Sequence, residues 1–116
     1  ENNYDITTNI FPRTVPPGLT GEIINVTSFE RLIRSTKDAK DREHVTRYFY
    51  HNPDKFKIFN FDPFNDKNIL DLRLVIDDQR DLERSIWMQS KLKKTSKPRD
   101  ETIQIISLAK EWEKNN

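Results

Sequence analysis

Cysteine is absent from the 116 residues, so a disulfide framework, a thiolate zinc site and a cysteine nucleophile are excluded together. A reducing, cytoplasmic setting is compatible with that absence. Glycine is nearly as scarce: Gly18 and Gly21 are the only two, which excludes a Walker loop, a dinucleotide fingerprint and a nucleophile elbow within these residues. No apolar run approaches the roughly 20 residues that cross a bilayer, and Glu1-Asn2-Asn3-Tyr4 carries neither the basic nor the hydrophobic region of a secretion signal. The chain reads as soluble, with no membrane partner. Neither sign of charge dominates, since 20 Lys plus Arg oppose 19 Asp plus Glu for a net +1. Nucleic acid is therefore not an expected partner.

What is present is polar for so short a chain, with 34% hydrophobic and 34% charged residues. Small domains bury a smaller fraction of their surface than large ones, so a thin core is expected, and a homodimer would help to cover it. Tyr4, Ile6, Thr8 and Ile10 alternate with Asp5, Thr7 and Asn9, the period-two pattern of a half-buried strand. Phe11 to Gly18 breaks the pattern with three prolines, and a second strand is expected from Glu22 to Val26. Thr27 with Glu30 reads as a capping box ahead of a helix carrying Phe29, Leu32 and Ile33. A short helix is expected from Arg42 to Tyr50, then a Phe-rich strand from Phe56 to Asp62. Leu70, Leu72, Leu74 and Ile76 alternate with Asp71, Arg73, Val75 and Asp77, predicting a strand with one core face and one polar face. Asp77 and Asp78 are expected to cap a helix from Gln79 to about Leu92, with an apolar stripe of Leu82 and Ile86. A basic connector, Lys91 to Arg99, leads to a last helix from Asp100 to Lys114 on which Ile105, Leu108, Ala109 and Trp112 align.

Two places could carry chemistry. His44 and His51 are seven apart, too far to chelate together, and by themselves read as structural or surface residues. Arg73 and Asp77 share the polar face of the expected strand, with Asp77 at its carboxyl end, where ligands bind in open α/β sheets. A carboxylate there suits Mg²⁺, which takes oxygen ligands and bridges to substrate phosphates. The plainer alternative is that Asp77 caps the following helix and Arg73 pairs with Asp71 or Asp81.

The run Arg42-Glu43-His44-Val45-Thr46-Arg47-Tyr48-Phe49-Tyr50, followed by Asn52-Pro53-Asp54-Lys55-Phe56-Lys57-Ile58, is similar to the EHVT-P-Y-(I/F)-Y-x-N-P-x-x-F-x-I signature of SpsF-like cytidylyltransferases of spore-coat polysaccharide synthesis. Upstream, Tyr4-Asp5 to Asn9, then Pro17-Gly18-Leu19 and Glu22, resembles the family's Y-D-x-x-x-N and P-x-G-L-D-x-E. Downstream, Asp71 to Asp77 with Asp81-Leu82-Glu83 resembles its L-R-x-T-x-D-x-x-x-D-L-E. The three blocks occur in family order and span nearly the whole chain. Thr20, Gly21 and Arg47 depart from the pattern, standing where the family has an acidic residue, an aliphatic residue and, commonly, proline.

The resemblance, which extends to the acylneuraminate and KDO cytidylyltransferases, implies an α/β fold. The chain would be the C-terminal part of a Rossmann-like nucleotide-diphosphosugar transferase, with a C-terminal helical extension. It implies transfer of CMP from CTP to the hydroxyl of a sugar, an acidic one, with Mg²⁺ assisting. In the related KDO enzymes the aspartate that starts the D-x-x-x-D-L motif is a metal ligand, and Asp77 matches it. The same resemblance suggests Glu22, His44 and Arg73 as residues lining the sugar side of the cleft. The expected division is residues 1–92 as part of the nucleotidyltransferase domain, 93–99 as connector and 100–116 as terminal helix. The family's N-terminal Q-A-R-x-x-S-x-R-L-P-G-K loop and its first metal aspartate are not among these residues, so the segment alone is not expected to turn over. The competing reading is a non-catalytic interaction or dimerisation module that docks a partner through the Trp112 helix and the Phe-rich strand.

Overall fold

A computed structural model describes residues 3–116. The chain divides into two compact units: the chain up to Thr14 with Thr20–Phe64, and Val15–Leu19 with Asn65–Asn116. The mixture of a small sheet with helices agrees with the α/β expectation.

The first unit contains β1 (Ile6–Thr8), β2 (Glu22–Ile24), α1 (Val26–Ser35), α2 (Ala39–Glu43), α3 (Arg47–His51) and β3 (Ile58–Asn60). The sheet order is β2-β1-β3, with β1 antiparallel to β2 and parallel to β3. The register places Ile6 between Ile24 and Ile58, and two residues on it places Thr8 between Glu22 and Asn60. Side chains two apart share a face. The same side of the sheet therefore carries an apolar row and then a polar row. The apolar row packs with buried Leu32, Phe49 and Phe56 to form the core. Phe49 and Phe56 meet edge to face with ring centroids 4.6 Å apart, a favoured geometry of aromatic quadrupoles.

Local chemistry shifts several boundaries. The cap of α1 is Asn25, whose side chain accepts from the Ser28 N–H, so Thr27 falls inside the helix rather than at its start. Asp5 accepts from Ser28 Oγ and from the Lys57 N–H, joining α1 to the entry of β3. The helix expected over Arg42 to Tyr50 is broken into α2 and α3 at His44, which ends α2 with φ −115° and ψ 82°. The break lets Arg47 Nη1 reach Asp41 Oδ1 at 2.8 Å, whereas residues six apart in one helix would be separated by a rise of about 9 Å. Thr36 Oγ1 donates to the other oxygen of that buried carboxylate at 2.7 Å. Arg47 opens α3, a position that suits proline, and here it contributes an ion pair instead. Val45, which one continuous helix would place on a face with Tyr48 and Phe49, is left 43% exposed by the break.

The second unit contains a 3₁₀ turn (Lys67–Ile69), α4 (Gln79–Lys91) and α5 (Pro98–Asn115). The strand expected over Leu70 to Ile76 does not form. The segment is irregular, with Leu72 buried, Leu74 half-buried and Ile76 60% exposed. Its backbone bond to the neighbouring Val15–Leu19 segment is from the Leu74 N–H to the Pro17 carbonyl, 2.9 Å. Pro16 and Pro17 have no N–H to return, so a ladder cannot develop there. Gly18, at φ 106°, passes so close to Leu74 that a Cβ would lie 2.8 Å from the Leu74 Cβ and nearer still to its carbonyl.

Asp78 is the N-cap of α4, and Asp78 and Asp81 form a reciprocal capping box, so Asp77 stands outside the helix. The face that α4 buries is Asp81, Arg84 and Met88, whereas Leu82 and Ile86 are 40% and 60% exposed. Helix α5 begins at Pro98, two residues before the expected Asp100, with the ring at the one turn where its missing N–H is harmless. It buries Ile106 and Ala109 and packs on α4, where Trp87 and Trp112 lie 5.6 Å apart. Gln104 closes the connector by accepting from the Lys93 N–H at 3.0 Å and donating to the Lys93 carbonyl at 3.2 Å.

Candidate functional site

In the first unit, the polar row lies at the carboxyl ends of the parallel pair β1 and β3, the end of a sheet at which α/β proteins gather ligands. Tyr50, from α3, reaches over it. Its hydroxyl lies 2.9 Å from Thr8 Oγ1 and makes a short hydrogen bond with Glu22 Oε2. A phenol has one proton, and an ionised Glu22 can only accept, so Tyr50 donates to Glu22 while the Thr8 hydroxyl donates to Tyr50. Thr8 Oγ1 in turn accepts from the Ile10 N–H at 3.3 Å. Burial, reinforced by the Glu22 carboxylate, pushes the Tyr50 phenol well above its ordinary range and keeps its proton in place. Glu22 Oε1 has no hydrogen-bond partner among the described residues.

The segment after β1 is fastened beside this row. Phe11 N–H donates to Asn60 Oδ1 at 2.9 Å, and Asn60 Nδ2 donates to the Pro12 carbonyl at 3.0 Å. Thr14 Oγ1 donates to the Phe61 carbonyl at 2.7 Å, and the Gly21 N–H donates to Asn9 Oδ1 at 2.9 Å. Phe11 stacks on Tyr50 with centroids 5.0 Å apart, yet remains 36% exposed. Thr8, Tyr50 and Asn60 were not singled out from the sequence. The period-two pattern carried a signal for Thr8, and the signature run Arg42 to Tyr50 carried one for Tyr50.

His44 lies elsewhere in the same unit. It ends α2, its N–H donates to the Lys40 carbonyl at 2.9 Å, and its side chain is exposed. Its imidazole has no bond to Glu22 or to Tyr50.

In the second unit, Arg73 and Asp77 do meet, through Arg73 Nη2 and Asp77 Oδ2 at 2.8 Å. The centre of this cluster is Asp81, which is 2% exposed. It accepts from Arg73 Nε at 3.0 Å and Nη2 at 3.0 Å, from the Asp77 N–H at 2.9 Å, and pairs with Arg84 at 2.9 Å. The Arg73 bond, and then the Asp77 N–H, hold its carboxyl far below the usual carboxylate range. Arg73 is correspondingly raised above its ordinary value, first by its bond to Asp81. Arg84 is also 2% exposed and donates to the Val75 carbonyl at 2.8 Å. Asp81 and Arg84 thus fix the irregular Arg73–Asp77 segment to the start of α4. The Asp77 carboxylate is 69% exposed, and its Oδ1 has no partner among the described residues.

A divalent cation could use Asp77 as one ligand of a shared shell. Asp81 is saturated by two guanidinium groups and the Asp77 and Asp78 N–H groups, and no group of three His, Asp or Glu side chains suited to a metal occurs among the described residues. Such a site fits Mg²⁺ only in the manner that takes one carboxylate with substrate phosphates and water. No helix among the described residues is long and apolar enough to cross a membrane.

The chain resembles a solved nucleotidyltransferase. Its structure matches that of a cytidylyltransferase from Leptospira borgpetersenii serovar Hardjo-bovis with a TM-score of 0.75 and 27% identity, over 97% of this chain and 44% of that one. In sequence it is 30% identical over 89 residues to an uncharacterised protein of Methanocaldococcus jannaschii, a match that covers 77% of this chain and 35% of the relative. The chain therefore spans about a third to a half of the length of the proteins it matches. No protein-family model matches it.

Proposed function

We propose that the chain is the C-terminal part of an SpsF-like cytidylyltransferase that transfers CMP from CTP to a sugar hydroxyl for surface polysaccharide or glycoconjugate synthesis. The observation that carries the reading is the match to a solved cytidylyltransferase along 97% of the chain. The Rossmann-like arrangement, the acidic sugar and the role of Mg²⁺ follow from the motif resemblance around Glu22, His44, Arg73 and Asp77.

In this reading Asp77 is the metal ligand, through the oxygen that Arg73 leaves open. Mg²⁺, when bound, supplies charge neutralisation and alignment of the triphosphate for in-line attack. The chain's own residues supply position. Arg73 is locked by Asp81 and so holds Asp77 in one orientation, a pre-organisation that costs nothing at the moment of binding. Glu22 offers Oε1 as an acceptor for a sugar hydroxyl, and His44 presents an exposed imidazole on the same unit.

The reading is tested by Asp77→Ala in the full-length enzyme. Because Asp77 is exposed and outside the α4 cap, folding stability should change by about 0.5 kcal/mol or less, the ordinary surface range. Mg²⁺-dependent pyrophosphate release should fall by about two orders of magnitude or more. Unchanged release would remove Asp77 from the metal site.

A further inference from the structure

The second unit holds a cleft of about 440 Å³ bounded by the Gly18–Leu19 turn, Leu74, α4 and α5. Clefts of this size take small molecules. The walls are chiefly aliphatic: Leu19, Leu74, Leu92 and Ile105 all line the cleft, and each is only half-buried. A ligand there would cover apolar surface that the unit itself leaves open.

The polar groups of the lining narrow the chemistry. Ser85 Oγ donates to the Asp81 carbonyl at 2.9 Å, so its proton is already committed. Arg84 commits Nη2 to the Val75 carbonyl and to Asp81, while its buried Nε has no hydrogen-bond partner among the described residues. A buried N–H without an acceptor is destabilising, and native proteins keep few of them. The Arg84 charge is matched by Asp81, and Glu101 adds a carboxylate to the lining. A carboxylate ligand would find no free cation here. A neutral acceptor would gain the Nε donor without burying a charge.

We propose that this cleft is an effector site for a neutral aliphatic molecule carrying one hydrogen-bond acceptor, such as a ketone or ester, which accepts from Arg84 Nε and whose occupancy is felt at Asp77. Arg84 pairs with Asp81 at 2.9 Å, and Asp81 accepts from the Asp77 N–H at 2.9 Å. Leu74, on the wall, adjoins Arg73, which holds the Asp77 carboxylate. The cleft is separate from the sugar-side residues proposed above and does not depend on the cytidylyltransferase reading.

The test is NMR on the full-length protein labelled with ¹⁵N and with ¹³C at the methionine methyl groups, titrated with hexan-2-one, 1-hexene and hexanoate. Met88 is buried and lines the cleft, so its methyl is the reporter, assigned with Met88→Leu. Hexan-2-one is expected to shift it saturably and to move the Asp77 N–H resonance with the same midpoint. The alkene, which has no acceptor, is expected to bind about fivefold more weakly, the scale of one neutral hydrogen bond. Hexanoate is expected to bind about tenfold more weakly or worse. Gln89→Trp, an exchange at an exposed position of the lining, should abolish both shifts while leaving the far-UV circular dichroism unchanged. No saturable shift of Met88, equal affinity for all three probes, or unaltered binding in Gln89→Trp would overturn the site. A Met88 shift with the Asp77 resonance unmoved would overturn the effector role. Pyrophosphate release, assayed separately, decides the enzymatic reading whichever way this titration falls.

Discussion

In the first unit, Ile6 and Phe49 are fully buried among Leu32 and Phe56, with a polar row at one end of the sheet and the Asp41–Arg47 pair outside that cluster. In the second, two of the least exposed large side chains are Asp81 and Arg84, which face each other across 2.9 Å. One unit is held by apolar burial and aromatic packing, and the other has charge at its centre. Apolar burial is non-directional and tolerates volume-conserving exchange. A buried ion pair contributes little net free energy but costs heavily when one partner is lost. The two units should therefore fail in different ways.

The largest expected effect is in the first unit. Phe49→Ala removes a ring with no solvent exposure and its edge-to-face contact with Phe56, and should cost about 3–5 kcal/mol in urea unfolding. A loss under about 1 kcal/mol would mean that the aromatic cluster does not hold this unit.

Arg84→Ala should cost a comparable amount, about 3 kcal/mol, because it leaves the Val75 carbonyl and a buried carboxylate short of a donor. Arg84→Met should recover a part of that loss, since Asp81 keeps Arg73 and the Asp77 N–H while a similar volume is refilled. If Met is as damaging as Ala, packing volume is not what the second unit lacks. The contrast between the two substitutions separates charge from shape.

Acid provides a third comparison. Asp81 has a folded-state carboxyl pKa depressed below its unfolded value, so its contribution is full above about pH 4 and is lost as pH falls through the depressed folded value. Asp5 in the first unit is also depressed: burial alone would raise it, but the Ser28 hydroxyl, the Lys57 N–H and the Arg31 and Lys57 charges outweigh burial. Asp81→Asn should flatten the decline in stability below pH 4 more than Asp5→Asn does. The reverse order would place the acid-sensitive group in the first unit.

The smallest effect concerns a boundary. Asn25→Ala should cost about 1 kcal/mol through loss of the α1 cap, while Thr27→Ala should stay within about 0.5 kcal/mol. Equal costs would contradict the cap placement.

The difference between the units also explains what could be read from the amino-acid sequence. The alternation around Ile6 and the spacing of Phe29 and Leu32 located β1 and α1, because apolar residues mark the buried side when the core is apolar. In α4 the same rule pointed to Leu82 and Ile86, yet the buried side carries Asp81 and Arg84. A charged pair looks like surface until its partner's position is known. The segment Leu70 to Ile76 failed for another reason: alternation encodes an extended backbone and a favoured face, but it does not supply a neighbour with free N–H groups. Pro16 and Pro17 cannot be that neighbour. Of the candidate residues, Arg73 and Asp77 were found together four apart, and Glu22 by motif. Tyr50 stood in the signature run, but its contact with Glu22 was invisible because it spans 28 residues and a helix break.

The most direct measurement is pyrophosphate release by the full-length protein supplied with Mg²⁺, a panel of neutral and acidic sugars, and each of CTP, UTP, ATP and GTP in turn. Sugar-dependent release with CTP well above the other nucleotides is the predicted result; no sugar-dependent release with CTP, or a preference for another nucleotide, would contradict it.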